Sequence, residues 1–262
     1  MCALDLTPPS FFSRDLNDPA LSTQSVYEAS ETQNHILGQK LSLGDGRVFR
    51  YAKNGGVALV QAFMTQAAVE ESKAVAIVQT GHAQVVGDTD ISVLVTTASA
   101  AGENDFSGGW MVCNKVSPAV LGDIYHILAS KLQSTDTILN LRLASPIRTA
   151  IGATGEVSLT YSKWFETVVV PTTTITADAA GVPLCAVPIN YYYWAQTKGP
   201  APLMVDTGDT IVIGSMVGIP GASAVAGTCG VTTATGFAFP VYGTVMSIAA
   251  AAEPALVNLT LE

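Results

Sequence analysis

Charge is scarce in this chain. Of its 262 residues, Lys and Arg together number 12, Asp and Glu 21, and charged residues make up 13%, against roughly a quarter in ordinary soluble domains. Charged residues are depleted from interface cores, so this scarcity implies that part of the surface is covered in the working state. The 12 cations are scattered and the net charge is −9, which excludes a basic groove for nucleic acid. No apolar run reaches the roughly 20 residues of a membrane span. The start, Met1-Cys2-Ala3-Leu4-Asp5-Leu6-Thr7-Pro8-Pro9, lacks a basic stretch followed by an apolar one, so synthesis in a cytoplasm without export by the usual signal is expected.

Catalytic and metal-binding patterns are lacking too. Cys2, Cys113, Cys185 and Cys229 are far apart and form no C-x-x-C pair, so neither a zinc site nor a disulfide framework is indicated. Buried, reduced thiols are expected instead. His35, His82 and His126 fall in three unrelated contexts, and His126, within Ile124-Tyr125-His126-Ile127-Leu128, is expected on a strand. Gly108-Gly109 and Asn54-Gly55-Gly56 are not followed by Lys-Ser/Thr, so neither is a phosphate loop. Asp88 and Asp90 supply two carboxylates, fewer than a calcium loop needs, and a solvated turn is the better reading. No catalytic residue, metal or cofactor is expected, and the chain is read as a non-enzyme.

What is present is an abundance of apolar residues, 48% of the chain, enough for a sizeable core. Period-2 alternation recurs in Ile91-Val93-Val95, Leu139-Leu141-Leu143 and Val257-Leu259-Leu261, the mark of strands with one buried face. Leu41-Ser42-Leu43 and Arg47-Val48-Phe49-Arg50-Tyr51 flank Gly44-Asp45-Gly46, which predicts a hairpin closed by an Asp-Gly turn. Turn signals at Gly87-Asp88, Gly155-Glu156, Gly199-Pro200, Gly208-Asp209 and Pro220-Gly221 punctuate the rest. The expected fold is all-β, with sandwich or barrel domains. Val57 to Glu71 fits neither the helical nor the strand period cleanly.

Three regions are expected along the chain: an extended N-terminal arm over residues 1–35, a β-rich domain over 36–180, and a small β-barrel-like domain over 181–262. Pro8, Pro9 and Pro19 and the polar run from Ser22 to Gln33 argue for the arm. Phe11, Phe12 and Tyr27 within it suggest that it lies on a neighbouring molecule. Tyr191-Tyr192-Tyr193-Trp194 is the most unusual local feature. Alternation sets Tyr192 and Trp194 on the face opposite Tyr191 and Tyr193. One pair could then face outward, for a protein interface or for stacking on a sugar ring, unless both faces are buried between layers.

Leu37-Gly38-Gln39-Lys40 leading into Asp45-Gly46-Arg47-Val48-Phe49-Arg50-Tyr51-Ala52-Lys53 resembles the opening of a family of tailed-bacteriophage virion structural proteins. Gly181-Val182-Pro183 and Tyr192-Tyr193-Trp194-Ala195-Gln196-Thr197-Lys198-Gly199-Pro200-Ala201 resemble a glycine-tyrosine-glycine-tryptophan-valine-glutamine motif of that family, with Tyr191 and Tyr193 at its glycine positions. Thr210-Ile211-Val212-Ile213-Gly214, Gly243-Thr244-Val245 and Leu256-Val257-Asn258-Leu259-Thr260-Leu261 are similar to the C-terminal barrels of head-decoration proteins. The resemblance implies a β-rich fold, strand rather than helix for Val57 to Gln66, and no catalytic residue. It also implies a decoration or cement protein on the virion capsid surface, bound to the major capsid protein and stabilising the shell. A head-to-tail or tail component, or a carbohydrate-binding adhesion module on a surface glycan using Tyr192 and Trp194, are the alternatives. A symmetric homo-oligomer, dimer or trimer, is expected, because assembly covers open sheet edges.

Overall fold

A computed structural model describes residues 24–70, 72–95, 103–115, 122–132, 137–172, 175–219, 225–231 and 240–262. Phe11 and Phe12 lie outside the described residues, as does Cys2. The fold is all-β, two sheets forming a half-barrel and a nearly closed barrel. Among the described residues the helical content is one 3-10 turn, Ser72–Ala74.

The chain divides into two units, and the division is discontinuous. One unit comprises the described residues up to Gln66 together with Glu166–Glu262, and the other is Ala67–Phe165. The boundary expected at residue 180 therefore falls within a strand. That strand, β11 (Ala179–Pro183), is hydrogen-bonded both to β3 (Thr65–Gln66) and to β12 (Tyr192–Met204).

In the first unit the predicted hairpin is present. β1 (Lys40–Ser42) and β2 (Val48–Lys53) pair antiparallel with Leu41 opposite Phe49. Gly46 closes the turn at φ 87°, a left-handed conformation that glycine adopts without steric cost. Asp45 supports the turn by accepting the Arg47 N–H at 3.0 Å. β12 runs for 13 residues, long enough to serve two partners in succession. Residues 192–198 pair with β2, and residues 198–204 pair with β16 (Pro254–Thr260). Beyond β16 follow β15 (Val241–Ser247), β13 (Met216–Gly218) and β14 (Gly230–Val231), and beyond β11 follow β3 and β10 (Val168–Val169). Pairing of β2 with β12, and of β3 with β10 and β11, joins the residues up to 66 to those from 166 onward.

Two apolar clusters stabilise this unit. One gathers Ala201 and Leu203 of β12 with Val257 and Leu259 of β16, Val217 of β13, and Tyr242 and Val245 of β15. The other gathers Leu41, Phe49 and Tyr51 of the hairpin with Trp194, Leu184 and Val26. Burial of each such large side chain contributes about 1.5–3 kcal/mol relative to exposure. The predicted alternation of Val257 and Leu259 is thus realised as core. Val57 to Gln66 contains no helix, as the resemblance implied, but its strand content is an isolated bridge at Leu59 and the two residues of β3.

The second unit is a six-stranded antiparallel sheet in the order β4 (Ile77–Val78), β9 (Glu156–Thr160), β6 (Trp110–Lys115), β7 (Ile124–Leu132), β8 (Ile138–Leu143), β5 (Asp90–Leu94). Ile91 and Val93 of β5 and Leu139, Leu141 and Leu143 of β8 are buried together, which bears out both predicted alternations. Met111 and Cys113 of β6, Tyr125 and Ile127 of β7, and Val157 and Leu159 of β9 complete the core. Two buried glutamines bridge from the segment after β4 to β5. Gln79 accepts the Leu94 N–H at 2.8 Å, and Gln84 donates to the Ser92 carbonyl at 2.6 Å.

Candidate interaction surface

The aromatic run opens β12, and its alternation is as expected, but both faces are covered. Tyr193 is fully buried, its hydroxyl 2.9 Å from Thr167 Oγ1 and 3.4 Å from Thr65 Oγ1, and burial pushes its pKa up to about 12. Trp194 is on the opposite face and is 1% exposed. Its indole N–H donates to the Gln24 carbonyl at 3.1 Å. Tyr192, half-buried, stacks on Tyr51 at 6.0 Å with ring planes 7° apart. An outward platform of Tyr192 and Trp194 is therefore not formed. The alternation is present, and what it does not reveal is that residues 24–43 fold over that face.

The same packing corrects the extent of the arm. Gln24 and Val26, expected in an extended arm, are buried within this unit. Gln24 receives the Tyr51 hydroxyl at 2.7 Å and donates to the Tyr192 carbonyl at 2.9 Å. Ser30 pairs with Tyr192 through reciprocal backbone bonds. Of the arm aromatics that are described, Tyr27 is 60% exposed, and its hydroxyl accepts from Arg47 at 3.3 Å. His35 wedges between Tyr51 and Trp194, 5.0 Å from each ring, and burial lowers its pKa.

A second surface was not anticipated as a site. Val212, Ile213, Met216, Met246, Ile248 and Leu256 are all exposed, and the backbone brings them to one region of the first unit. Gly214 N–H donates to Val245 O and Val245 N–H to Ser215 O, which stitches the 212–215 turn along β15. Met216 is in register with Thr244, and Ser247 with Leu256, while a bulge between Val245 and Ser247 displaces Met246. Exposed apolar side chains brought together in this way mark an interaction site. In sequence, Ile211-Val212-Ile213 is an unbroken apolar run. Only Ile211 enters the core, because the chain reverses at Val212, whose carbonyl accepts the Ser215 N–H.

In the same unit Asp206 organises the loops. It accepts Val225 N–H at 2.8 Å, Gly208 N–H at 3.0 Å and the Thr228 hydroxyl at 3.3 Å. Burial alone would raise its pKa, but these donors outweigh burial and hold the carboxyl below its ordinary value. Asp209 is the reverse case. Its Oδ2 is buried without a hydrogen-bond partner, and burial with the nearby Asp206 charge raises its pKa.

The remaining candidate groups do not converge. Asp90, expected in a turn, instead opens β5 and forms a two-pronged ion pair at 2.7 and 3.0 Å with Arg142, its partner across the ladder on β8, while Asp88 accepts the Val85 N–H at 3.3 Å as a turn residue does. His126 is on β7 and packs against Trp110, ring centroids 5.0 Å apart. Cys113 and Cys229 are buried, Cys185 is half-buried, and all three are free thiols. Burial pushes Cys113 to about 11 and Cys229 to about 12, which keeps both protonated and unreactive at neutral pH. Among the described residues no three His, Cys, Asp or Glu side chains are grouped as metal ligands. No family model matches the chain, and no curated protein and no solved structure matches it.

Proposed function

We propose that this chain is a structural protein of a tailed-phage virion, a decoration or cement protein that binds the outside of the assembled shell and stabilises it. The observation that supports this reading is the exposed apolar region around Val212, Ile213, Met216, Met246, Ile248 and Leu256, in a chain with only 13% charged residues. Shell binding would cover this region, and repetition over many identical lattice sites lets modest contacts hold the particle together. Residues 1–23, carrying Phe11 and Phe12, would supply a second contact to the major capsid protein. The all-β fold agrees with the resemblance. The adhesion alternative built on Tyr192 and Trp194 loses its platform, because Trp194 is buried.

The test is cosedimentation of the purified protein with undecorated capsids, using the full chain, a chain lacking residues 1–23, and Ile213→Glu. Saturable binding in large copy number, weakened by Ile213→Glu, is the expected result. Truncation at residue 23 removes none of the described residues, so weakened binding by that variant, with the melting temperature of the full chain, assigns an anchor to the arm. Absence of binding by the full chain overturns the reading.

A further inference from the structure

The chain has three tryptophans, and they differ in a way folding does not explain. Trp194 is 1% exposed, whereas Trp110 on β6 is 46% exposed. Tryptophan contributes most to stability when its ring is buried, so one left open on a sheet face is available to a partner. His126, opposite Trp110 in the β6–β7 register, packs against the indole with ring planes tilted by 57° and fixes its orientation.

Along the same outer face lies an open groove of about 470 Å³, lined by Asp90, Ser92, Asn140 and Arg142 of β5 and β8, Lys131 of β7, and Asn104. Ala129 also lines it and pairs with Arg142. His126 precedes Ala129 by three residues, so groove and indole are roughly 10 Å apart along β7. The groove is polar but not charged overall. Asp90 is paired with Arg142 at 2.7 Å, and Lys131 with Glu103 at 3.7 Å, while the Ser92 hydroxyl donates to Asn140 at 2.7 Å. These pairs hold donors and acceptors side by side in fixed positions.

We infer that the outer face of β6, β7, β8 and β5 binds a short chain of neutral pyranose sugars, with Trp110 stacking on one ring and the groove hydrogen-bonding the hydroxyls of the next. A pyranose presents weakly positive C–H groups on its face, complementary to the negative face of the indole. Its neighbouring hydroxyls each donate and accept, which matches carboxylate, amide and guanidinium groups held next to one another. Balanced charge in the groove selects neutral over anionic sugars. Exposed Ile124 and Leu128 on β7 extend the apolar part of the platform. This site is built from the second unit alone and does not rest on the capsid reading.

The test is a fluorescence and calorimetric titration of the full chain with hexasaccharides of glucose, mannose, galactose and N-acetylglucosamine. Saturable binding of at least one, with a shift in tryptophan emission, is expected. Trp110→Ala should weaken it by at least about tenfold, Trp110→Phe should retain part of the affinity, and Asn140→Ala should weaken it, with melting temperatures unchanged. No binding of any of the four up to about 10 mM, where even a very weak site would register, overturns the proposal. So does binding indifferent to Trp110→Ala, and so does a self-association that Trp110→Ala abolishes in a chain that binds no sugar, since the face is then a protein interface.

Discussion

The side-chain amide of Gln79 treats Leu94 as a neighbouring strand would: its Oε1 accepts the Leu94 N–H at 2.8 Å and its Nε2 lies 3.4 Å from the Leu94 carbonyl. The same Nε2 donates to the Ile77 carbonyl at 3.0 Å. Gln79 thus links β4 and β5, the two outer strands of the six-stranded order, where no backbone ladder between them is formed.

Substitution of Gln79 should therefore cost more than its size suggests. Gln79 is fully buried, and Gln79→Leu strands the Leu94 N–H without its partner, at about 1–3 kcal/mol for each buried group left unpaired. Urea unfolding should show a loss of that order. Hydrogen exchange at the Leu94 amide should accelerate by more than exchange in β6. A loss below about 0.5 kcal/mol would show that water replaces the amide.

Asp206 and Asp209, three residues apart, are expected to act in opposite directions. Because its folded pKa is depressed, Asp206 contributes stability above its unfolded value near 3.8, and that contribution is lost as pH falls below this value. Asp206→Asn should therefore lower the melting temperature at pH 7 and have little effect near pH 2. Asp209 has a raised folded pKa, so ionising it costs stability as pH rises. Asp209→Asn should raise the melting temperature at pH 7 and change little near pH 3. The same sign for both variants at pH 7 would contradict the assignment.

Much of the strand pattern was legible in the sequence because it depends on local period. Ile91-Val93, Leu139-Leu141-Leu143 and the Asp-Gly hairpin all appear as their spacing required. What was not legible depends on partners distant in sequence. Residues 24–35 look like a polar arm, yet Gln24 and Val26 are buried by Tyr51 and Trp194, one nearby and the other 170 positions away. Thr172 to Ala180 looks like a linker between domains, yet β11 begins within it and bonds to β3, more than a hundred positions earlier. The exposed Trp110 carried no signal either, since Trp110-Met111-Val112-Cys113 is apolar at both parities and does not reveal its outer face.

Gly243 is expected to tolerate no side chain. A Cβ there would lie 2.0 Å from the Asn258 carbonyl oxygen, because β15 and β16 pair with Gly243 opposite Leu259. Relief requires the strands to separate, so Gly243→Ala should destabilise by several kcal/mol, on the order of the costliest single substitutions. Gly44, with nothing within 4 Å and no positive φ, is the control. Gly44→Ala should melt within about 0.5 kcal/mol of the parent, the range for surface changes.

Two tryptophans separate the functional readings by their opposite behaviour. Trp194 fills the cluster of Tyr51, Phe49, Leu41 and Val26 and holds the Gln24 carbonyl. Trp194→Ala should therefore cost about 3–5 kcal/mol, as for other buried aromatics, and should speed proteolysis within residues 24–40, which lose their support. Trp110 faces solvent by nearly half of its area, so Trp110→Ala should leave unfolding within about 1 kcal/mol of the parent, a cost limited by its partial burial. Any loss of binding by Trp194→Ala would then reflect a damaged fold, whereas the same loss by Trp110→Ala, in a protein that melts normally, would locate the contact itself. If Trp194→Ala melted like the parent, residues 24–43 would not cover that face in solution, and the platform of Tyr192 and Trp194 would return as the binding surface.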